Sequence, residues 1–471
     1  MAFVAKLPNE ILLHIFECTV ATSVTDRASG AHYKTMRALL SITTVCRRWR
    51  NAAIACRSLW CDIYVGPSNF DDPSSQSLLS PGQFGRVEAL LERSGSLPIS
   101  LLLGCIASED LVEERLEHLP EFVLLKAEHQ DDTLRKIMES QWRQMLKTLH
   151  PHINRCIKLV IFHDAEYWDV LHDFTEIAKT SPLSMLKHLE VEVIIRAGMV
   201  GDEGAFVLGR SSILTSDLPL ETLKFRHYSA YLPIRLDAPW PSLKSPTWDI
   251  TDEHRDRIPD TLSLFPSLEY LSLTLSWETT SGRISPFHHS SELIVMPSLR
   301  TVVTDSILFW SIALTPHVSE VTIRCPSLDV NHDSTTKALK NLPTSAKKLH
   351  LRATWLDAKE PAGYLTELFS GFAGVTELEI EWYGINLDHL IYMFEPFGIQ
   401  AKRNLHSMFL DTQVEMKISF KLVDICSALK VLTISHVGET LSASINSKFS
   451  GFRQAVEAEF PSRRSVQVRW K

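Results

Sequence analysis

The chain has 471 residues, of which 45% are hydrophobic and 22% charged, so it is long enough for two or more packed units and is not compositionally disordered. Its net charge of −8 argues against nucleic acid as the main partner. No stretch approaches the roughly 18 uninterrupted apolar residues of a membrane span, so we expect no membrane partner.

The first residues predict a short amphipathic helix. Pro8 suits a first helical turn, where its missing N–H has no acceptor in any case, and Glu10 lies near the positive end of the helix dipole. The apolar residues that follow lie on one stripe of a 3.6-residue period; they are Ile11, Leu12, Ile15 and Phe16. A second apolar set indicates one or two further helices, and it comprises Leu39, Leu40, Ile42, Val45, Cys46, Trp49, Ala52, Ala53 and Cys56.

Three sequence blocks in this region resemble the F-box family, in particular its fungal-type members. The blocks are Leu7 to Phe16, Val45 to Arg50, and the pair Leu59 and Trp60. The resemblance covers about one eighth of the chain. It implies a three-helix domain that docks to a Skp-type adaptor and thereby to a cullin-type (SCF) ubiquitin ligase.

The resemblance also implies which residues take part in adaptor binding. The positions that match are Leu7, Pro8, Ile11, Leu12, Ile15, Leu39, Val45, Cys46 and Trp49. In the family these positions are divided between the internal core and the adaptor surface, and the alternative is that all are core. Leu7 and Pro8 precede the stripe, so contact is favoured for them. Residues 21–35 depart from the compact pattern and predict a polar inserted loop between the helices.

Residues 66–150 predict a linker followed by a helical connecting region. Pro, Ser, Asp and Gly dominate 66–85, helices are expected over 84–93 and 131–149, and a buried strand is expected over 97–103.

From about residue 153, a strand phrase typical of leucine-rich repeats recurs: an apolar residue, two variable residues, an apolar residue, one variable residue and a third apolar residue. The mean spacing is about 27 residues, within the range of roughly 20 to 29 for such repeats. The phrases begin at Cys156, Leu186, Leu220, Leu268, Leu299, Val318, Ala346, Val375, Leu405 and Leu429, with a weaker phrase at Leu243. Residues 151–471 therefore predict an irregular solenoid with a parallel sheet, and the alternative is an irregular α/β domain. Val466, Val468 and Trp470 alternate like a final capping strand.

If the strands lie side by side, their variable positions form rows on one face of the sheet. The expected neighbours are Lys348 with Glu377, His350 with Glu379, and Arg352 with Glu381, and the row Ser407, Phe409 and Asp411 comes next. A cross-strand charge ladder is the favoured reason for these charges, and a client-binding surface is compatible with it. The candidate client-binding residues are Arg324, Lys348, His350, Arg352, Glu377, Glu379, Glu381 and Phe409.

No catalytic motif is present, and the eight cysteines show neither paired spacing nor histidines at zinc-site spacing. We therefore expect no enzyme activity, no cofactor, no metal and no disulfide. The absence of a signal-peptide core before Pro8 predicts a cytoplasmic or nuclear protein.

Taken together, the sequence predicts an α+β or α/β protein with an F-box at 1–65, a connecting region at 66–150 and repeats at 151–471. The predicted function is to link a client protein to a Skp-type adaptor and cullin. The alternatives are a non-degradative F-box scaffold or, less favoured, a hydrolase in an irregular α/β domain.

Overall fold

The computed structural model contains two compact units, residues 1–242 and 243–471. The residues that it describes are 7–23, 30–65, 81–105, 140–164, 177, 180–181, 183–194, 218–227, 240–251, 258–276, 293–305, 307–324, 332–353, 368–383, 428–437, 450, 453–454 and 467–470.

The N-terminal part is helical, as predicted. Helices α1 (Asn9–Ser23), α2 (Gly30–Val45) and α3 (Arg47–Ala55) precede a 3-10 helix at Arg57–Trp60. Their apolar stripes meet in a small core of Leu12, Phe16, Leu39, Ile42, Ala53, Leu59 and Trp60. The predicted polar loop at 21–35 is wrong in part, because α1 continues to Ser23 and α2 begins at Gly30. Most of the insertion extends the two helices, and residues 24–29 lie outside the described part.

The rest of the first unit contains a parallel sheet. Strands β1 (Asp62–Val65), β2 (Ile99–Cys105), β3 (Cys156–Asp164), β4 (His188–Ile194) and β5 (Thr222–His227) pair in chain order. Helix α4 (Pro81–Ser94) and β2 confirm the predicted helix at 84–93 and strand at 97–103. Residues 140–149 are helical, and the remainder of the predicted helix lies outside the described residues. A 3-10 helix at His150–Arg155 leads into β3. Because β1 and β2 belong to this sheet, the sheet begins well before residue 151.

In its described residues the second unit has a parallel sheet of eight strands, again in chain order. The strands are β6 (Ser245–Thr251), β7 (Tyr270–Ser276), β9 (Thr301–Thr304), β11 (Glu320–Ile323), β12 (Lys348–Ala353), β13 (Glu377–Tyr383), β14 (Val431–Val437) and β15 (Gln467–Trp470). Strands β8 (Ile294–Val295) and β10 (Ala313–Leu314) form a separate parallel pair. This unit also contains helices α5 (Ile258–Ser263) and α6 (His332–Lys340) and a 3-10 helix at Ile307–Ser311.

The predicted strand phrase determines the core of both units. All three apolar positions of the phrase are buried in β3, β4, β7, β9, β11, β12 and β13. The phrase works because its last two apolar residues are two positions apart and point to the same face of the strand. The aromatic rings of Trp310, Phe309 and Phe372 pack edge to face behind the second sheet, with centroid distances of 5.4 and 6.1 Å. The predicted capping strand is confirmed as β15.

One predicted row is placed wrongly. Strand β13 pairs directly with β14, so that Glu377 lies beside Val431 and Glu379 beside Thr433. The phrase that begins at Leu405 therefore does not lie between these strands, and Phe409 is outside the described residues. Spacing along the chain could not reveal this, because a connection of any length can join neighbouring parallel strands.

Candidate functional site

The helical N-terminal part exposes unusually many large apolar side chains. Of seven such side chains among the residues described, five belong to helices α1 to α3; they are Ile11, Ile15, Leu40, Val45 and Ile54. Ile11 and Ile15 are one turn apart on α1 and are 47% and 38% exposed, whereas Leu40 and Val45 on α2 are each 57% exposed. Because apolar surface concentrated in one region of a protein marks an interaction site, these helices are a candidate docking surface.

The structure divides the nine residues that were matched to adaptor binding. Pro8, Ile11, Ile15, Val45 and Cys46 are exposed, and Leu7 and Trp49 are partly exposed. Leu12 and Leu39 are 0% and 1% exposed, so the prediction that they contact a partner is corrected: both belong to the core between the helices. Leu40, which is 57% exposed beside buried Leu39, was missed, because the helical period alone does not show which of two consecutive leucines faces the core.

Several contacts position this surface. The guanidinium of Arg48 donates to the carbonyl oxygen of Leu7 and, at 3.1 Å, to Oδ1 of Asn9, which holds the start of α1 against α3. The rings of Phe16 and Trp49 pack edge to face with centroids 5.1 Å apart. The backbone N–H of Trp49 points to Sγ of Cys46 at 3.5 Å, so Cys46 caps the start of α3. Cys46 therefore has a local structural role besides being exposed.

Helix α3 and the sheet of the first unit are joined through Trp60. Its Nε1 donates to the carbonyl oxygen of Ala53 at 2.8 Å, and the guanidinium of Arg93 lies 4.6 Å from its ring centroid. Directly after Trp60, the carbonyl oxygen of Cys61 accepts the N–H of Ser100 at 2.9 Å, and β1 then pairs with β2. The docking helices thus continue into the sheet through regular backbone hydrogen bonds.

Arg155 holds the corner between α4 and β2. It is 9% exposed and donates to the carbonyl oxygens of Leu97 at 2.6 Å and Leu91 at 3.2 Å and to Oγ of Ser94 at 2.9 Å. Gly95, at the same corner, has a φ of 60°, which a residue with a side chain rarely adopts. The predicted helix at 84–93 and strand at 97–103 require a turn here, but its anchor, Arg155, was not predicted.

The polar face of β11 to β13 has the predicted register. Lys348 lies beside Glu377, His350 beside Glu379, and Arg352 beside Glu381. The alternate residues, such as Leu349 and Leu378, face the core. The register prediction is confirmed, because a shift by one residue would have turned every charged side chain into the core.

The side chains do not all pair with their direct neighbours. Nε of Arg352 is 2.7 Å from Oε2 of Glu381, as predicted, but Nε2 of His350 is 3.1 Å from the same oxygen. Lys348 reaches in the other direction, to Oε1 of Glu320 at 2.9 Å. Two cationic or titratable groups therefore converge on Glu381, whose side chain is only 13% exposed.

Burial lowers the pKa of His350 below its usual value of 6.5, and the nearby charge of Arg352 lowers it further, although Glu379 and Glu381 act in the opposite direction. The imidazole is thus poorer at holding a proton here than in an unfolded chain. Near neutral pH, Arg352 is the main electrostatic partner of Glu381.

Of the remaining candidate client-binding residues that the structure describes, one makes a hydrogen bond within the chain and the others are at least partly exposed. Arg324 follows β11, and its Nη1 donates to Oγ1 of Thr274 on β7 at 3.0 Å. Glu377 is exposed at the start of β13, and Glu379 is partly exposed. All of the predicted client-binding residues except Phe409 are thus brought together along three neighbouring strands.

The part of the chain that the structure describes contains no group of three or more His, Cys, Asp or Glu side chains arranged to hold a metal ion. A groove of about 290 Å³ lies between α5 and β8, lined mainly by Leu262, Phe265, Leu268, Ile294, Val295 and Met296. The hydroxyl of Ser263, which also borders the groove, donates to the carbonyl oxygen of Pro259 at 2.8 Å. Within the same described part, no helix has the length and hydropathy needed to cross a bilayer.

Comparison with known protein families gives a match to the N-terminal part of the chain. The model of the F-box-like family matches residues 4–65, the segment that contains α1 to α3 and β1. A search of curated proteins finds no match to the chain. The chain therefore carries an F-box-like domain, a protein-interaction module, at its N-terminal end, followed by parallel sheets with helices.

Proposed function

We propose that this F-box-like protein is a substrate-selecting subunit of an SCF ubiquitin ligase. Its F-box-like domain docks to a Skp-type adaptor and thereby to a cullin, and its parallel sheets bind a client protein. The chain itself performs no chemistry and needs no cofactor. The observation that carries the proposal is the concentration of exposed apolar side chains on α1 to α3, within the segment that matches the F-box-like family.

The client-binding part is a solenoid of the leucine-rich type. Support comes from a backbone pattern that repeats from strand to strand. In unit two, for example, the carbonyl oxygen of Lys347 accepts the N–H groups of Thr376 and Glu377 at 2.8 and 3.0 Å. In unit one, the carbonyl oxygen of Lys187 accepts those of Glu221 and Thr222 at 2.8 and 3.0 Å. A recurring connection of this kind is expected when each repeat stacks on the previous one.

Docking is tested by co-expressing the full chain with a Skp-type adaptor and measuring co-purification. Ile15→Lys introduces a charge on the exposed face of α1, and we expect a loss of at least about tenfold in bound adaptor, as for a central interface residue. Val295→Lys is the matched control, because Val295 is 59% exposed but lies outside the F-box-like domain. Both variants should retain the parent circular dichroism spectrum.

Undiminished binding of the adaptor by folded Ile15→Lys would contradict the proposed docking surface. Recruitment of a cullin by the parent complex supports the ligase role. A parent complex that holds the adaptor but no cullin would instead indicate a non-degradative scaffold.

A further inference from the structure

The residues immediately before the first seven strands of the second sheet form a row along one edge, which we name the strand-start row. It consists of Lys244, Glu269, Arg300, Ser319, Lys347, Thr376 and Lys430. Backbone hydrogen bonds fix the row, because the N–H of each member from Glu269 to Lys430 donates to the carbonyl oxygen of the preceding member, at 2.8 to 2.9 Å. For Ser319, Lys347 and Thr376 this distance is 2.8 Å.

The charges of the strand-start row are balanced at its first end and are only positive from Arg300 onward. At the first end, Nζ of Lys244 is 3.1 Å from Oε1 of Glu269, so the two charges neutralise each other. From Arg300 onward, cations alternate with hydroxyl residues, which are Ser319 and Thr376. Arg300, Lys347 and Lys430 are exposed, and none has an acidic side chain within ion-pair distance among the residues described.

The intervening hydroxyl groups belong to the backbone ladder. Oγ of Ser319 donates to the carbonyl oxygen of Arg300 at 3.2 Å, and Oγ1 of Thr376 donates to that of Lys347 at 3.1 Å. They stiffen the edge and add no negative charge. Arg300 has Glu269 as its neighbour in the row, but that carboxylate is paired with Lys244, and Lys347 lies between two hydroxyl residues.

Neither stability nor solubility explains these unbalanced cations. Where the sheet uses charge to connect neighbouring strands, it pairs opposite signs, as in Lys348 with Glu320 at 2.9 Å. The whole chain carries a net charge of −8, so its solubility does not depend on three additional positive groups. An acidic partner would supply the missing charges.

The spacing of the cations restricts the conformation of that partner. Neighbouring strands lie about 4.8 Å apart, so cations on alternate strands are separated by about 9.6 Å. A polyproline II chain has three residues per turn and rises about 3.1 Å per residue, so every third side chain falls on the same face about 9.3 Å apart. Carboxylates at every third residue of such a chain would match Arg300, Lys347 and Lys430 in turn.

We propose that the strand-start row binds an extended acidic segment of the client, with Asp or Glu at every third residue. The proposal rests on the proposed function only in that the acidic segment belongs to the recruited protein. The attraction between the row and the segment orients the partner and speeds association more than it increases affinity. The attraction weakens at high salt, because salt screens the charges.

The test uses the full chain and fluorescein-labelled nine-residue peptides, with binding followed by fluorescence anisotropy at low salt. The probe repeats Glu-Pro-Pro three times, and a permuted peptide of the same composition places its three Glu residues together. The variant combines Arg300→Gln, Lys347→Gln and Lys430→Gln. Because each exposed charge pair contributes a few tenths to about 1 kcal/mol, we expect the triple variant to bind the probe about tenfold or more weakly.

The matched control is Lys244→Gln, which removes a cation of the same row that already has an acidic neighbour. It should bind the probe like the parent. We also expect the permuted peptide to bind more weakly than the probe, and higher salt to reduce the binding of both.

Equal binding of the probe by the parent and the triple variant would overturn the proposal, as would equal affinity for the two peptides. The triple variant should still co-purify the Skp-type adaptor. Failure of the strand-start row is therefore distinguishable from failure of adaptor docking, which Ile15→Lys tests at the other end of the chain.

Discussion

Glu381 on β13 should stabilise the second sheet more than the exposed carboxylates of the same strand. Its Oε2 is 2.7 Å from Nε of Arg352 and 3.1 Å from Nε2 of His350, and its side chain is 13% exposed. Removing one partner of a buried ion pair costs about 3 to 5 kcal/mol, whereas fully exposed ion pairs contribute about 0.2 to 1 kcal/mol. Because Arg352 is 39% exposed and partly screened by solvent, we expect Glu381→Gln to lower the free energy of unfolding by about 1 to 2 kcal/mol.

The assay is urea denaturation of the full chain, with peptide-resolved hydrogen exchange over β12 and β13 to assign the change to this sheet. Resolution by peptide is needed because two compact units can unfold in separate transitions. Glu377→Gln is the matched control, since Glu377 lies on the same strand but is exposed, and it should change stability by less than about 0.5 kcal/mol. A double-mutant cycle with Arg352→Gln should give a coupling of about 1 kcal/mol. Equal losses for Glu381→Gln and Glu377→Gln, or no coupling, would refute the reasoning.

Three further predictions concern single residues. The folded-state pKa of His350 is lowered by burial, so the native state binds fewer protons than the unfolded state. Stability should therefore fall as pH decreases from about 6.5 to the folded-state pKa, and His350→Gln should flatten that part of the pH profile of urea midpoints. Arg155→Met should destabilise the first unit by about 2 to 4 kcal/mol, because the carbonyl oxygens of Leu91 and Leu97 and Oγ of Ser94 each lose a hydrogen bond from Arg155. Increased hydrogen exchange confined to other regions would contradict this. Gly374→Ala should be destabilising, since the new Cβ would lie 2.4 Å from the carbonyl oxygen of Thr344. Gly85 is at an exposed position of helix α4, where a Cβ meets no atom within 4 Å, so Gly85→Ala should stabilise the protein by about 0.5 to 1 kcal/mol. Thermal unfolding of the two variants beside the parent checks both signs.

Local patterns predicted the parts of this protein that depend on neighbouring residues in the chain. The stripe of Leu12 and Phe16 determined a buried helix face, and the strand phrase determined which residues of β12 and β13 face the core. The register of Lys348 beside Glu377 followed from the same phrase. In each case the period of a helix or a strand fixes the direction of the side chains, so the spacing of apolar residues is sufficient.

The sequence predicted the adaptor-docking residues as a group but did not show which of them are exposed. The resemblance identified the positions, but it did not separate exposed Ile11 and Ile15 from buried Leu12 and Leu39. The separation depends on where α2 and α3 lie against α1, which helical period alone does not specify. The contact of Arg48 with the residues before α1 likewise joins segments about 40 residues apart.

The sequence by itself determined an F-box-like beginning, the periodic strands and their inward-facing residues, because these properties depend on local chemistry that every copy of a motif repeats. Only the tertiary structure decided that β14 lies directly beside β13, that His350 turns to Glu381, and that Arg300, Lys347 and Lys430 share one edge. Those arrangements depend on which strands become neighbours after the chain has returned across the sheet. The connecting segments differ in length, and their spacing does not show which strands become neighbours. The packing of the sheet therefore determines which charged side chains lie close together.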